Sequence, residues 1–412
     1  MQFLFVHQNF PGQYRHLALH FAKAGHRVVA IGEKANVVRQ RAMVPGIELF
    51  GYELPPESAA ARSGSQLHPA VHRARIVAGA ASALRRSGFQ PDAIFAHIGW
   101  GEALFLKDVF PQAQLQLYCE FFYRSKGSDV DFDPEFPARP DSGFRLRMKN
   151  APLLMALDAS DRGVTPTRWQ QQQFPAGYAS KISVIHDGIY TDLVTPGTHA
   201  RFRIPGTDTL LSTDDQVITY VSRNLEPYRG FHTFMRTVPE IQRRLPQARI
   251  VIVGGDDVSY SARLPAGQSY RDRLTRELEG KIDYSRVVMT GRIPYAEYLS
   301  LLRVSSAHVY LTYPFVLSWS MLEAMSAGCV VIGSRTSPVE EVITHGENGL
   351  LADFFSPVDI ADQVERVVKA DDRLRAMREA ARRTVVNCYD LKRVCLPKQA
   401  KLVQNLLLER AA

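Results

Sequence analysis

The stretch TYPFVLSWSMLEAMSAGCVVIGS, residues 312–334, reads as a strand end, a loop, a short helix with one acidic residue, a glycine stop and a further strand. The same alternation extends outward on both sides. Apolar runs at Val217–Val221, Arg249–Val253, Arg286–Thr290, Ala307–Thr312, Val330–Gly333 and Gly349–Ala352 are separated by helical segments at Gly230–Arg244, Arg271–Leu278, Tyr295–Arg303 and Ser320–Ala327. The first half repeats the pattern, with runs at Gln2–Val6, Arg27–Ile31, Ile47–Tyr52, Asp92–His97 and Leu115–Phe122 and an amphipathic helix at Tyr14–Ala24. Continuous apolar strands separated by helices predict parallel sheets covered on both faces.

The chain is therefore expected to be α/β, with two doubly wound, Rossmann-like domains in series at 1–190 and 216–390. A Thr-, Gly-, Pro- and Asp-rich stretch at 191–215 reads as the linker. Helices are expected from Pro357 to Val386, and a last one, about 391–412, is expected to pack back on the first domain. Open parallel sheets bind ligands outside the carboxyl ends of their strands. Two such domains facing across a cleft would suit a two-substrate reaction.

A length of 412 residues exceeds what one ordinary core accommodates. Lys and Arg number 50 against 42 Asp and Glu, a formal charge of +8 that favours phosphates or an anionic membrane face as partner. Nucleic acid is not expected, because the arginines are dispersed and no basic cluster is interleaved with aromatics. Cys119, Cys329, Cys388 and Cys395 show no metal-ligand spacing and read as reduced thiols of a cytosolic protein. The opening MQFLFVHQNFPGQY lacks the basic leader of a signal peptide, and no apolar run approaches the ~18 residues that span a bilayer. The expected location is cytoplasmic, with at most peripheral contact on the inner face of the cytoplasmic membrane.

Several residues carry candidate chemistry. Glu323 is placed to accept hydrogen bonds from two vicinal hydroxyls, as carboxylates do with a ribose, or else it is a solvent-facing helix residue. The loop Phe315–Ser320 opens that helix, so its backbone N–H groups can face a phosphate. Arg223 and Arg229, at a strand end and the next helix start, can straddle a diphosphate and stabilise a leaving group gaining charge; the alternative is a surface pair bonded to Glu226. Gly12 lets the backbone approach a phosphate or sugar, and its loop is not the Gly-x-Gly-x-x-Gly turn of a nicotinamide enzyme. His97 ends the fourth strand and is either a site residue or structural. Glu120, after the fifth strand, either stabilises developing positive charge or binds an acceptor hydroxyl, or else it pairs with Arg124 or Lys126. Asp129, Asp131 and Asp133 alternate but lack the glycine and glutamate of a calcium loop, so no metal site is expected.

Leu322-Glu323-Ala324-Met325 with Gly328 resembles the second half of the Glu-x7-Glu signature of the retaining glycosyltransferases of family 4, and the resemblance extends across most of the chain. The signature's first glutamate, which helps hold the donor sugar in that family, falls on Phe315 here. Backbone groups of Val316, Leu317 and Ser318, or the Ser318 hydroxyl, are expected to substitute. VSRNLEPYRGF, 221–231, resembles the family's Gly-Arg-Leu…Glu-Lys-Gly stretch, with Arg229 for the lysine. Gly254 stands in the family's Gly-rich turn, and Arg292 and Ile293 follow Gly291 where the family's backbone meets the nucleotide base. His186-Asp187-Gly188-Ile189-Tyr190 resembles its Pro-Asn-Gly-Val-Asp stretch.

The resemblance implies a GT-B fold and retaining transfer of a hexosyl unit from a nucleoside-diphosphate sugar, most commonly a UDP-sugar. The acceptor would be a hydroxyl of a cell-envelope glycan or lipid-linked molecule, as in polysaccharide or lipopolysaccharide assembly. It implies no metal or other cofactor, with the leaving phosphate itself helping to deprotonate the acceptor. Two other readings stand beside it: a sugar-nucleotide epimerase of the same build, and an inactive sugar-nucleotide-binding protein, suggested by Phe315.

Overall fold

The structure is a computed structural model and describes residues 1–54, 67–370 and 373–411. It forms two compact units: Met1–Asp187 with Lys392–Ala412, and Gly188–Leu391.

The first unit holds strands β1 (Gln2–Val6), β2 (Arg27–Glu33), β3 (Glu48–Tyr52), β4 (Ala93–His97), β5 (Gln114–Tyr118), β6 (Arg162–Thr165) and β7 (Ile182–Val184). They make one parallel sheet in the order β3-β2-β1-β4-β5-β6-β7. Its helices are α1 (Arg15–Lys23), α2 (Lys34–Gln40), α3 (Leu67–Arg86), α4 (Leu106–Val109), α5 (Ser142–Ala159) and α6 (Arg168–Gln173). The apolar run of β1 is continuous because both its faces are covered. Leu4 and Val6 pack with Val77, Ala81 and Leu84 of α3, while Phe3 and Phe5 pack with Leu17 and Phe21 of α1.

In the second unit a short antiparallel hairpin, β8 (Arg201–Arg203) and β9 (Leu210–Ser212), precedes β10 (Val217–Asn224), β11 (Arg249–Gly255), β12 (Val287–Gly291), β13 (Ala307–Tyr310), β14 (Val330–Ser334) and β15 (Leu350–Ala352). The last six form a parallel sheet in the order β12-β11-β10-β13-β14-β15. Its helices are α7 (Phe231–Arg244), α8 (Tyr270–Glu277), α9 (Tyr295–Val304), α10 (Trp319–Ser326), α11 (Ser337–Glu340), α12 (Pro357–Lys369) and α13 (Arg373–Cys388). The final helix α14 (Leu396–Ala411) returns to the first unit, where Val403 joins the cluster that contains Leu17 and Phe21 of α1.

Both sheets thus have the doubly wound order, with a switch point between β1 and β4 in one and between β10 and β13 in the other. The stretch read as a linker, 191–215, carries the β8–β9 hairpin and lies in the second unit. Phe202, Ile204 and Leu211 are buried there against Leu301 and Val304 of α9. The run expected to reach Phe122 leaves the sheet after Tyr118. Strands β6 and β7 were not expected: RGVT and ISV are too short and too polar to register as apolar runs, and pairing with β5 and with each other defines them. The helical stretch Pro357–Val386 is two helices, because Ala370 is extended and ends α12.

Candidate active site

At the carboxyl end of β10 the chain makes a short turn, Pro227–Arg229, before α7 begins. Gly230 closes that turn in the left-handed region, at φ +67, and a Cβ there would meet Leu311 Cβ at 2.4 Å. Gly230→Ala is therefore expected to destabilise the protein by at least about 2 kcal/mol, lowering Tm by roughly 4–8 °C. A melting curve within 1 °C or so of wild type would show that this turn is not strained.

The turn presents Arg229, mostly buried, whose Nη1 donates to Thr312 Oγ1 at 2.9 Å and Val316 O at 3.0 Å, and more weakly to Tyr310 Oη at 3.4 Å. The Tyr260 ring lies 5.4 Å from its guanidinium carbon. All these partners are neutral, so a fixed cation stands at the switch point without a carboxylate ion pair among the described residues. Arg223 is exposed and likewise makes no ion pair among them.

The Glu226 carboxylate does not bond to either arginine; only its backbone carbonyl accepts the Arg229 N–H, at 3.1 Å. It is 1% exposed, and its carboxylate accepts the backbone N–H groups of Ser259 (3.1 Å), Tyr260 (2.9 Å) and Ser261 (2.9 Å). That contact pins the loop after β11 and with it Tyr260. Phe315 is buried edge-on to Tyr260 (4.8 Å) and Tyr228 (5.5 Å), and Tyr228 stacks on Tyr313 at 4.6 Å. The position of the missing glutamate is thus filled by aromatic packing. Of the groups expected to substitute for it, the Val316 carbonyl faces Arg229 and Leu317 is in the core. The Ser318 N–H donates to Tyr310 Oη at 2.8 Å, and its hydroxyl caps α10.

Glu323 is not a free solvent-facing carboxylate. Tyr295 Oη donates to its Oε1 at 2.6 Å and Tyr298 Oη to its Oε2 at 2.9 Å. Burial raises its pKa above the usual carboxylate range, against the pull of the two hydroxyls. Tyr295 and Tyr298, spaced i, i+3 on one helix face, join the candidate site and were not singled out in the sequence reading. Arg292 Nη2 donates to Asn224 Oδ1 at 2.8 Å, beside the end of β10, and Ile293 packs partly buried against the core. Gly254 is the last but one residue of β11, where a Cβ would meet Leu225 Cδ2 at 2.6 Å.

The first unit brings His97 and Glu120 together at the ends of β4 and β5. His97 is 2% exposed; its Nδ1 accepts the Gly99 N–H at 3.0 Å, so Nε2 carries the proton and faces Glu120 Oε2 at 3.5 Å. Trp100 stacks on the imidazole at 4.1 Å. Two further residues belong to this cluster and were not foreseen, His7 and Gln13. His7 Nδ1 accepts the Asn9 N–H, its Nε2 donates to Gln13 Oε1 at 2.9 Å, and Gln13 Nε2 donates to Glu120 Oε1 at 3.3 Å. Burial and the neighbouring His97 lower the His7 pKa to about 3, so it stays neutral and acts as a relay of hydrogen bonds. Gly12 serves this arrangement: at φ +44, a Cβ would strike the His7 ring at 2.7 Å. Beneath, the fully buried Glu102 accepts from Tyr52 Oη (2.6 Å) and Gln8 N (3.0 Å), and burial raises its pKa.

The aspartates after β5 fold locally. Asp133 Oδ1 accepts the Glu135 N–H and Asp131 Oδ1 the Ala138 N–H, and no group of three potential metal ligands occurs among the described residues.

Residues 24–194 match the glycosyl transferase family 4 group, and residues 207–384 match the glycosyl transferases group 1. Among curated relatives, the chain is similar to D-inositol 3-phosphate glycosyltransferase of Segniliparus rotundus, 25% identical over 224 residues that cover 54% of this chain and 47% of that protein. The enzyme of the same name from Corynebacterium aurimucosum is 27% identical over 255 residues, 61% of this chain and 56% of that one. The chain thus spans about half the length of the curated relatives it matches. Sucrose-phosphate synthase from Thermosynechococcus elongatus superposes with a TM-score of 0.73 at 16% identity, covering 99% of this chain and 100% of that one. Anabaena Alr3699/HepE in complex with UDP does so with 0.70 at 15%, covering 98% and 100%. These structural likenesses show the fold, and the sequence matches, which together take in most of the chain, show the lineage. The chain belongs to the family 4, group 1 glycosyltransferases and has their GT-B fold.

Proposed function

We propose that this protein is a retaining glycosyltransferase that moves a hexosyl unit from a UDP-sugar to a hydroxyl of a cell-envelope glycan or lipid-linked acceptor. The observation that carries the reading is Arg229, a fixed guanidinium at the β10–β13 switch point with neutral partners only. A cation held there without a carboxylate is free to meet the charge that develops on a departing diphosphate. Arg223, exposed at the same strand end, would close on the second phosphate, and Glu323 would bind the ribose, with Arg292 and Ile293 beside the base. In the first unit, Glu120 and His97 would receive the acceptor hydroxyl. The uridine assignment is supported by the UDP and UDP-glucose complexes of Alr3699/HepE. The charge on the diphosphate is met by the two arginines in this scheme, with no metal.

A thermal-shift panel of nucleoside diphosphates and their sugars tests the donor site. At about 100 times the dissociation constant a ligand adds roughly 2.7 kcal/mol, an upward shift of about 5 °C or more. UDP or a UDP-sugar is expected to give that shift in wild type and not in Glu323→Ala. No shift with any nucleotide would remove the donor-site assignment.

Phe315 favours a second reading, a sugar-nucleotide-binding protein without catalysis, since aromatic packing fills the place of a sugar-binding carboxylate. Slow release of UDP from UDP-sugar without acceptor supports the transferase. Binding without any release supports the second reading.

A further inference from the structure

The two tyrosines on Glu323 hold it in different ways. Each takes one carboxylate oxygen, Tyr295 Oη lying 2.6 Å from Oε1 and Tyr298 Oη 2.9 Å from Oε2. Tyr298 is 8% exposed and packs in the core of the second unit with Leu302, Met321 and Leu322. Tyr295 is the first residue of α9, directly after Pro294, and is 48% exposed. The inner ring can leave Glu323 only by opening a packed core, whereas the outer one can turn into water.

Glu323 is partly buried, and a carboxylate so placed is costly to leave without hydrogen-bond donors. Two hydroxyls side by side, one on each oxygen, are also what the vicinal diol of a ribose offers. The chain thus carries on itself the donor pair that a nucleotide would bring. Each carboxylate oxygen has more than one acceptor site, so Oε2 can keep Tyr298 and still accept from a ribose. Oε1 has the same capacity, but its donor stands at the exposed start of the helix, just after Ile293. That is the side from which a nucleoside beside Arg292 and Ile293 would reach the carboxylate.

We propose that Tyr295 is a displaceable stand-in for a ribose hydroxyl. It donates to Oε1 before a nucleotide arrives and turns outward when the diol takes its place. Tyr298 stays on Oε2 and keeps the carboxylate oriented. This role rests on Glu323 being the ribose carboxylate. Its effect is on affinity, because the apparent dissociation constant is the intrinsic one divided by the fraction of molecules with Tyr295 turned away. A hydroxyl bonded to a carboxylate but half open to water should stay in place in roughly nine molecules of ten, weakening nucleotide binding about tenfold. The same contact re-forms as the diol departs, which favours release of the spent nucleoside diphosphate.

The test is titration calorimetry of the full chain with UDP and with dideoxy-UDP, which lacks both ribose hydroxyls. Wild type, Tyr295→Phe, Tyr298→Phe and Glu323→Ala are compared; phenylalanine keeps the ring and removes only the hydroxyl. Tyr295→Phe is expected to bind UDP about tenfold more tightly than wild type, and dideoxy-UDP within about twofold of it, since that ligand has no diol to exchange for the tyrosine. Tyr298→Phe is expected to weaken UDP binding, because its hydroxyl remains in place in the complex. The proposal is overturned if Tyr295→Phe binds UDP no more tightly than wild type, which would make Tyr295 a fixed brace. An equal gain for both nucleotides also overturns it, since the ring rather than the hydroxyl would then be the obstacle. Neither result touches the ribose reading as long as Glu323→Ala loses UDP binding. Unchanged UDP binding in Glu323→Ala removes that reading, and the role of Tyr295 with it.

Discussion

Replacing Arg229 with methionine should lower kcat/KM for donor turnover by roughly 10²- to 10³-fold, the usual consequence of removing one preorganised donor from a developing negative charge. The reason lies in what holds the side chain. Thr312 Oγ1 and Val316 O take up its Nη1 donors and fix the guanidinium, and no described carboxylate pairs with it, although the buried Glu226 carboxylate stabilises its charge from a distance. A diphosphate would therefore meet a cation already in place, with little reorganisation at the moment of bond cleavage. Arg229→Lys keeps the charge and loses the planar fork, so it should fall between, losing about tenfold. Both variants leave Thr312 and Val316 short of a donor, so melting curves must accompany the kinetics, with assays run well below the transition. Steady-state release of the nucleoside diphosphate is the measurement. If Arg229→Met stays within about threefold of wild type, Arg229 has no part in the reaction and the proposed donor site fails.

Glu226→Ala should be the most destabilising single substitution in the loop region of the second unit, at about 3 kcal/mol, or a fall in Tm of roughly 6–12 °C. Three backbone N–H groups converge on this one buried carboxylate, and hydrogen bonds to a charged acceptor are worth about 1.5–3 kcal/mol each. Their full sum is not expected, because the loop lies near the surface and water will replace part of what is lost. Glu226→Gln retains one acceptor oxygen but turns an amide N–H₂ toward backbone donors, so it should lie closer to alanine than to wild type. Hydrogen exchange provides the sharper readout: the amides of Ser259, Tyr260 and Ser261 should be protected in wild type and exchange freely in Glu226→Ala. Were Glu226 instead an ion-pair partner of the arginines, those amides would exchange alike in both proteins.

Much of the fold was legible because sheets covered on both faces leave continuous apolar runs. QFLFV and RIVIV announce their strands without help from the rest of the chain. RGVT, ISV and the hairpin in 201–212 did not, since a short strand at or next to a sheet edge, or in a small hairpin, is defined by its neighbours rather than by its own composition. In the site, VSRNLEPYRGF carried Arg229 plainly, and the role of Glu226 was hidden because its partners are backbone groups 33 to 35 positions away. Phe315 was visible as a substitution, but the two tyrosines that receive it, Tyr228 and Tyr260, come from two other segments. His7, one residue beyond the first apolar run, carries no signal of its own in the sequence. Only the bend at Gly12, which brings Gln13 over the imidazole, makes it part of a chain leading to Glu120.

The return of α14 to the first unit has a consequence for how this chain is made. Synthesis runs from the amino end, so β1 to β7 leave the ribosome first, yet the cluster around Leu17 and Phe21 stays open until Val403 arrives. The whole second unit, Gly188–Leu391, must be translated in between, which takes on the order of 10 to 40 s at ~5–20 residues per second. For that interval the outer face of α1 is an unfinished apolar surface. The unit that begins first is thus completed last, and the second unit can close on itself while the first still waits for its final helix.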